Sequence, residues 1–212
     1  MAAAQVSTSM IAGPSGAIEI AAHSPQGSPR AIAIVAHPHP LFGGSMDNKV
    51  VTSVARAFVD SGAATWRFNF RGVGGTEGAH DEGRGETDDM LAVIAHARAT
   101  SPGLPLWMAG FSFGGAVALA AAARSAPEEL ILVAPSLKRL AQWQQAGNDE
   151  SHPANTLVIH GERDDTVPLT DSLDWARPRE IPVTVVPGAD HFFHQRLHLI
   201  RLIVSRWLPA PL

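Results

Sequence analysis

LPLWMAGFSFGGAVALAAAARS, residues 104–125, places one serine between an apolar run and an alanine-rich run. The first run predicts a strand at 105–110, and the second predicts a helix at 113–125. Ser112 then lies on the tight turn between them, and the residues at 110, 114 and 115 are glycines. Small neighbours are needed where a strained turn exposes a serine hydroxyl, as in the Gly-x-Ser-x-Gly nucleophile elbow. The pattern alone also fits a turn serine or a helix N-cap.

Strand-like and helix-like segments alternate on both sides of this turn. Strands are predicted at 5–11, 16–22, 31–36, 64–70, 105–110, 129–135, 156–161 and 183–188, and helices at 48–62, 85–100, 113–125, 137–145, 171–177 and about 193–208. Such alternation indicates an α/β fold with a mostly parallel central sheet flanked by helices on both faces. We interpret residues 1–212 as a single domain, in which glycine-bounded polar loops follow the carboxyl ends of several strands and form one site.

The composition excludes several kinds of function. There are no cysteines among the 212 residues, which rules out disulfides, thiolate catalysis and cysteine-ligated zinc. The net charge of −4 argues against nucleic acid or an anionic membrane as a partner. No signal peptide and no apolar run of roughly 18 to 20 residues is recognised, so we expect a cytoplasmic protein. Abundant alanine, and arginine in excess over lysine, suggest a bacterium with GC-rich DNA.

A nucleophilic serine needs a base, and the base needs an orienting acid. His191 follows the last predicted strand, where a catalytic histidine would lie over the serine turn; the alternative is a surface histidine. Asp164 follows the strand at 156–161 with the spacing Gly-x-x-Asp-x-x-Val. Asp165 is the alternative acid. The expected triad therefore occurs in the chain order Ser112, Asp164, His191.

With these residues the chain resembles the α/β-hydrolases, most closely the small bacterial serine hydrolases related to dienelactone hydrolase. The resemblance rests on the order of the triad, the GFSFGG elbow, FNFRGVGGTEG at 68–78 and HPHPLFGGSMDNKVV at 37–51, and it extends over nearly the whole chain. It implies an α/β-hydrolase fold. The segment between Pro135 and Thr156 has room for only a short helix and a loop, so no cap domain is expected.

The loop at 37–44 is expected to complete an oxyanion hole. Acyl transfer needs two N–H donors for the tetrahedral oxyanion. One comes from the residue after the nucleophile, Phe113. The resemblance points to the N–H of Leu41 as the second donor, and Phe42 is the alternative. Pro38 and Pro40 stiffen the loop because each fixes φ and lacks a donor.

Other polar residues have two readings each. His37 and His39 suggest a zinc pair to which His160 could add a ligand, but no third carboxylate or histidine has a recognisable spacing, so we predict no metal and no cofactor. Arg71 either binds an acidic substrate group or, as the resemblance implies, holds the following glycine loop. Asp47 and Asn48 are expected to cap the helix at 48–62.

Together these features predict a serine hydrolase acting on small-molecule carboxylic esters. A site without a lid should favour short acyl chains. The same triad also fits a thioesterase or a peptidase, and the fold alone also fits a non-catalytic binding protein.

Overall fold

The computed structural model describes residues 6–138 and 152–210, and an eight-stranded sheet forms its centre. The strands are β1 (Val6–Gly13), β2 (Gly16–His23), β3 (Ala31–Ala36), β4 (Ala63–Phe68), β5 (Leu106–Phe111), β6 (Glu129–Val133), β7 (Thr156–Gly161) and β8 (Val183–Val186). The helices are α1 (Lys49–Asp60), α2 (Arg84–Thr100), α3 (Phe113–Ser125), α4 (Leu169–Ala176) and α5 (Leu197–Trp207). Short 3₁₀ turns occur at Pro40–Phe42 and Arg177–Arg179.

The strand order is β1-β2-β4-β3-β5-β6-β7-β8. The first hairpin and the β2–β4 pair are antiparallel, and every other neighbouring pair is parallel. The carboxyl ends of β3 to β8 therefore share one edge of the sheet, where ligands bind in open α/β folds. This is the mostly parallel α/β-hydrolase fold that the sequence predicts.

The central strands are buried on both faces, which explains why they read as continuous apolar runs. Every residue of β3, β5, β6 and β7 is buried. Helices α2 and α3 cover one face with side chains such as Met90 and Val117. Helices α1 and α5 cover the other with side chains such as Phe58 and Val204. The resulting three layers hold the strand ends rigidly.

The predicted elements are present, with ends that differ by a few residues. The closing helix was expected from about 193 but begins at Leu197, because Phe193 and Gln195 have positive φ angles that a helix does not accept. Asn48 caps α1, since its side chain accepts a hydrogen bond from Val50 N. Asp47 instead pairs with Arg67. The predicted helix at 137–145 lies outside the described residues except for its first two positions.

The described residues place no cap domain over the carboxyl edge of the sheet; the residues of this edge belong to loops and short helical turns. No helix within 6–138 or 152–210 is long and apolar enough to cross a membrane.

Candidate active site

Ser112 lies on a strained turn between β5 and α3. Its φ of 55° and ψ of −116° are unusual for a residue with a side chain. A Cβ on Gly110 would lie 2.0 Å from Gly114 O, and one on Gly114 would lie 2.4 Å from His37 O. Only glycine allows backbone atoms to approach so closely. The tight turn that strains Ser112 therefore also explains why glycines occupy positions 110 and 114. The Ser112 N–H donates to Val133 O at 2.9 Å, which fixes the turn to β6.

His191 joins Ser112 to Asp164. Its Nε2 lies 3.1 Å from the Ser112 hydroxyl oxygen, and its Nδ1 lies 2.7 Å from Asp164 Oδ2. Because the carboxylate only accepts, Nδ1 carries the proton and the lone pair of Nε2 faces the serine hydroxyl. The imidazole is 3% exposed and packs against the ring of Phe111, with ring centroids 4.9 Å apart. The structure thus brings together the three residues that the sequence nominated from three separate loops.

Asp164 is fully buried and has several hydrogen-bond donors. Its Oδ1 accepts from Thr166 N at 3.0 Å and from Val167 N at 2.8 Å. His160 Nε2 lies 3.3 Å from its Oδ2. Burial by itself raises the pKa of Asp164, but the hydrogen bonds from His160, His191 and Val167 N outweigh it and hold the pKa well below its ordinary value. The group is therefore a carboxylate at neutral pH.

Asp165, the alternative acid, is placed elsewhere. Its side chain is exposed and accepts a hydrogen bond from the Thr166 hydroxyl at 3.3 Å. The contact with His191 belongs to Asp164.

The loop at 37–44 offers two backbone donors beside the nucleophile turn. Phe42 N donates to His39 O at 3.1 Å, which closes a tight turn. Leu41 N donates to His39 Nδ1 over a longer 3.3 Å. The His39 ring packs on Phe113, the residue after the serine, with centroids 4.8 Å apart. Of the two N–H groups, that of Leu41 is the more weakly bound within the loop and so is the easier to redirect to a substrate oxygen.

His37 supports the loop from within the protein. Its Nδ1 lies 2.6 Å from Pro38 O, and its Nε2 accepts from Phe70 N at 3.0 Å. Burial lowers the pKa of His37 to about 4, although the bond to Pro38 O acts in the opposite direction. The ring is therefore neutral at pH 7, and both nitrogens hold backbone.

The histidines of the zinc hypothesis have hydrogen-bond partners of their own. His160 directs Nδ1 to the Ser172 hydroxyl and Nε2 to Val167 O, each at 2.9 Å. Among the described residues, no group of three or more His, Cys, Asp or Glu side chains could hold a metal ion.

Arg71 faces α2 rather than an open cleft. Its Nε and Nη2 donate to the two carboxylate oxygens of Asp89 at 3.0 and 2.8 Å. The hydrogen bond to Asp89 also raises the pKa of Arg71. The middle of the glycine loop is held instead by Glu19, whose Oε2 accepts from Gly75 N at 2.9 Å. Arg71 thus ties the start of the glycine loop to α2, and Glu19 holds its middle.

Three exposed apolar side chains flank the nucleophile and were not nominated as substrate contacts from the sequence. Leu41 is 68% exposed and Phe42 is 79% exposed on one loop, and Phe192 is 46% exposed on the other. We call these three residues the apolar rim. Its exposed side chains offer contacts to the apolar part of a ligand at Ser112.

Ser136 is a further neighbour of Ser112, and no prediction from the sequence named it. Its hydroxyl oxygen lies 3.5 Å from that of Ser112, and its N–H donates to Ser112 O at 3.0 Å. No motif marks it, because the contact depends on how the chain turns after β6.

Comparisons with known proteins agree with this fold and indicate a hydrolase family. The family model described as serine aminopeptidase S33 matches residues 27–148. The structure of an α/β serine hydrolase without a lid from Xanthomonas campestris is 39% identical, over 100% of this chain and 99% of that one, with a TM-score of 0.88. An uncharacterised protein of Rickettsia prowazekii is 33% identical over 92% of this chain and 86% of its own length. Dienelactone hydrolase from Anabaena variabilis is 16% identical over 96% of each chain, with a TM-score of 0.77, a likeness of fold alone.

Proposed function

The chain belongs to the serine aminopeptidase S33 family of the α/β-hydrolases, and we propose that it cleaves small carboxylic esters through an acyl-enzyme on Ser112. One observation carries the proposal. The Ser112 hydroxyl, the His191 imidazole and the Asp164 carboxylate form a continuous hydrogen-bonded chain, with contacts of 3.1 and 2.7 Å. A hydroxyl, a base and an orienting acid in this order are what acyl transfer needs.

In the first half-reaction, the Ser112 oxygen attacks the acyl carbon and His191 Nε2 takes the hydroxyl proton. Asp164 keeps Nδ1 protonated and stabilises the imidazolium that forms. The bond to the alkoxide then breaks, and His191 gives its proton to the leaving alcohol. In the second half-reaction, His191 removes a proton from water. The resulting hydroxide attacks the acyl carbon, and the Ser112 oxygen leaves with the proton.

We assign the oxyanion hole to the N–H groups of Phe113 and Leu41. The Phe113 N–H lies at the start of α3, where the helix dipole also favours negative charge. The assignment of Leu41 over Phe42 is supported by its longer bond to His39. Two such donors stabilise the tetrahedral intermediate more than the planar ester, which is what lowers the barrier.

The preferred substrates are esters with short acyl chains. The apolar rim is exposed and the described residues form no cap, so an acyl chain can be enclosed only near the serine. Each further buried CH₂ adds at most about 0.8 kcal/mol, and this gain ends where the chain leaves the protein surface.

Hydrolysis of p-nitrophenyl acetate, butyrate, octanoate and palmitate tests the proposal, with Ser112→Ala as the control at each length. We expect kcat/KM to peak at acetate or butyrate and to show no rise when the longer esters aggregate. A thioester and a peptide anilide measured in parallel should be slower than the best ester. Preferential cleavage of the anilide or thioester would replace the esterase assignment, and turnover of none of them would favour a binding protein.

A further inference from the structure

We propose that His160 is a second histidine serving the triad, a positioning residue that orients the Asp164 carboxylate toward His191. The inference rests on the proposed function, because it assigns His160 a part in the same reaction. His160 is the last residue but one of β7, and its side chain is completely buried. It does not touch the serine, so any effect must pass through Asp164.

The contacts of His160 define its protonation pattern. Nε2 lies 2.9 Å from Val167 O, which can only accept, so Nε2 carries a proton. The same nitrogen lies 3.3 Å from Asp164 Oδ2, so its N–H is shared between the carbonyl and the carboxylate. Nδ1 lies 2.9 Å from the hydroxyl of the buried Ser172, which donates to it in the neutral ring. Every polar atom of the ring thus has a partner, and the orientation of the ring is fixed from two sides.

Asp164 consequently receives N–H groups on both oxygens. The backbone of Thr166 and Val167 supplies Oδ1, and the two histidines converge on Oδ2. A carboxylate has about four lone-pair sites, so this set of neighbours on both oxygens restricts its rotation. The plane of the carboxylate, and with it the orientation of His191, is therefore set in part by His160.

The other charged groups near this cluster have partners of their own. Glu162 accepts a hydrogen bond from Gly188 N, and Asp165 accepts one from the Thr166 hydroxyl. Asp190 pairs with His194 on the loop of His191, and Asp171 of α4 pairs with Lys138. The side chain of Arg163 is exposed. The pair of histidines is thus the main set of titratable groups that faces the Asp164 carboxylate.

This arrangement predicts an effect on protonation that packing alone would not give. His160 draws part of the negative charge of Oδ2, which weakens the attraction of Asp164 for the imidazolium of His191. Removing that N–H strengthens the Asp164–His191 pair, so His191 should keep its proton to higher pH. The acidic limb of kcat/KM should then move upward by about half a pH unit, because the deprotonated base is the active form.

The test compares His160→Leu, which has no donor, with His160→Gln, which retains an amide N–H near the same place. His23→Leu is the control, since it also removes a histidine side chain, one that accepts a hydrogen bond from Arg67 between β2 and β4. For each variant we would measure kcat and KM across pH, thermal stability, and the titration midpoint of His191 by NMR. We expect His160→Leu to lose about 10-fold in kcat with little change in KM, and to shift both the limb and the midpoint upward. His160→Gln should recover most of both effects.

Two results separate this inference from the proposed function. If the wild-type protein shows no Ser112-dependent hydrolysis, the proposed function fails, and the NMR midpoint of His191 still decides the role of His160. If hydrolysis is present but His160→Leu lowers only thermal stability, with the limb and midpoint unchanged, His160 is a packing residue and the inference is wrong. Should His160→Leu not fold, Ser172→Ala takes its place, because it removes the hydroxyl that holds His160 Nδ1 and should also raise the His191 midpoint. An unchanged midpoint in Ser172→Ala would then overturn the inference.

Discussion

Two groups of residues meet at Ser112, and they contribute to the site in opposite ways. On one side, Asp164 and His191 are buried side chains whose hydrogen bonds are made to each other and to the serine. On the other side, the loop at 37–44 offers backbone N–H groups, while its side chains at Leu41 and Phe42 are exposed. Chemistry by side chains requires particular residues, whereas chemistry by the backbone requires only a particular loop shape.

His37 and His191 show the same contrast between two residues of one type. Both are buried. The two ring nitrogens of His37 form hydrogen bonds with Pro38 O and Phe70 N, and burial lowers the pKa of His37 to about 4. His191 spends its nitrogens on a carboxylate and a hydroxyl. Both rings are buried, so the difference lies in their hydrogen-bond partners. These partners give His37 a structural role and allow His191 to transfer a proton.

The largest effect is expected where the side chain itself is required. Asp164→Asn should lower kcat by about 10⁴-fold, because an amide can present its N–H to His191 and favour the wrong tautomer. Asp165→Asn is the matched control and should change kcat little, since Asp165 is exposed and contacts Thr166. Steady-state kinetics of both purified variants checks this. The reverse ranking would transfer the acid to Asp165.

A smaller loss is expected on the backbone side. Leu41→Pro removes the proposed donor and should lower kcat by about 10² to 10³-fold, while Leu41→Ala keeps the N–H and should affect mainly KM. Phe42→Pro and Phe42→Ala form the parallel pair, with melting temperatures measured to confirm folding. A greater kcat loss in Phe42→Pro than in Leu41→Pro would assign the oxyanion donor to Phe42.

His37 should affect stability more than chemistry. The pKa of His37 is about 4 in the folded protein and 6.5 ordinarily. Between these two pH values, His37 is protonated in the unfolded chain but neutral in the folded protein. The resulting stabilisation is complete above pH 6.5 and is lost as the pH falls toward 4, by about 3 kcal/mol. In His37→Gln, the free energy of unfolding measured with urea should depend less on pH across this window. An equally steep decline in His37→Gln would assign the pH dependence to other groups, His23 among them.

The elbow and the contacts among Ser112, Asp164 and His191 could be predicted because the residue types they require are dictated by physical necessity. Gly110 and Gly114 leave no space for a Cβ, and an acid and a histidine must follow strands that end on the same edge. The choice between Leu41 and Phe42 could not be made from sequence, because every residue except proline has an N–H. The choice depends on which of the two N–H groups forms the weaker hydrogen bond with His39 within the loop.

Other features depend on tertiary placement that spacing does not reveal. His160 meets Asp164 and Ser172 only because β7, its loop and α4 fold back on one another. The sequence offered it merely as a possible zinc ligand. The predicted start of α5 was too early. Phe193 and Gln195 have positive φ angles, which the sequence does not indicate because neither residue is a glycine.

Covalent labelling is the sharpest test of the proposal that Ser112 is the nucleophile. A fluorophosphonate probe should add once per chain, at Ser112, as read by intact mass and peptide mapping. Ser112→Ala should abolish the adduct and lower ester hydrolysis by about 10³-fold or more, whereas Ser136→Ala should still be labelled although its hydroxyl lies 3.5 Å away. An adduct that persists in Ser112→Ala, or hydrolysis above about a tenth of the wild-type rate, would contradict the account.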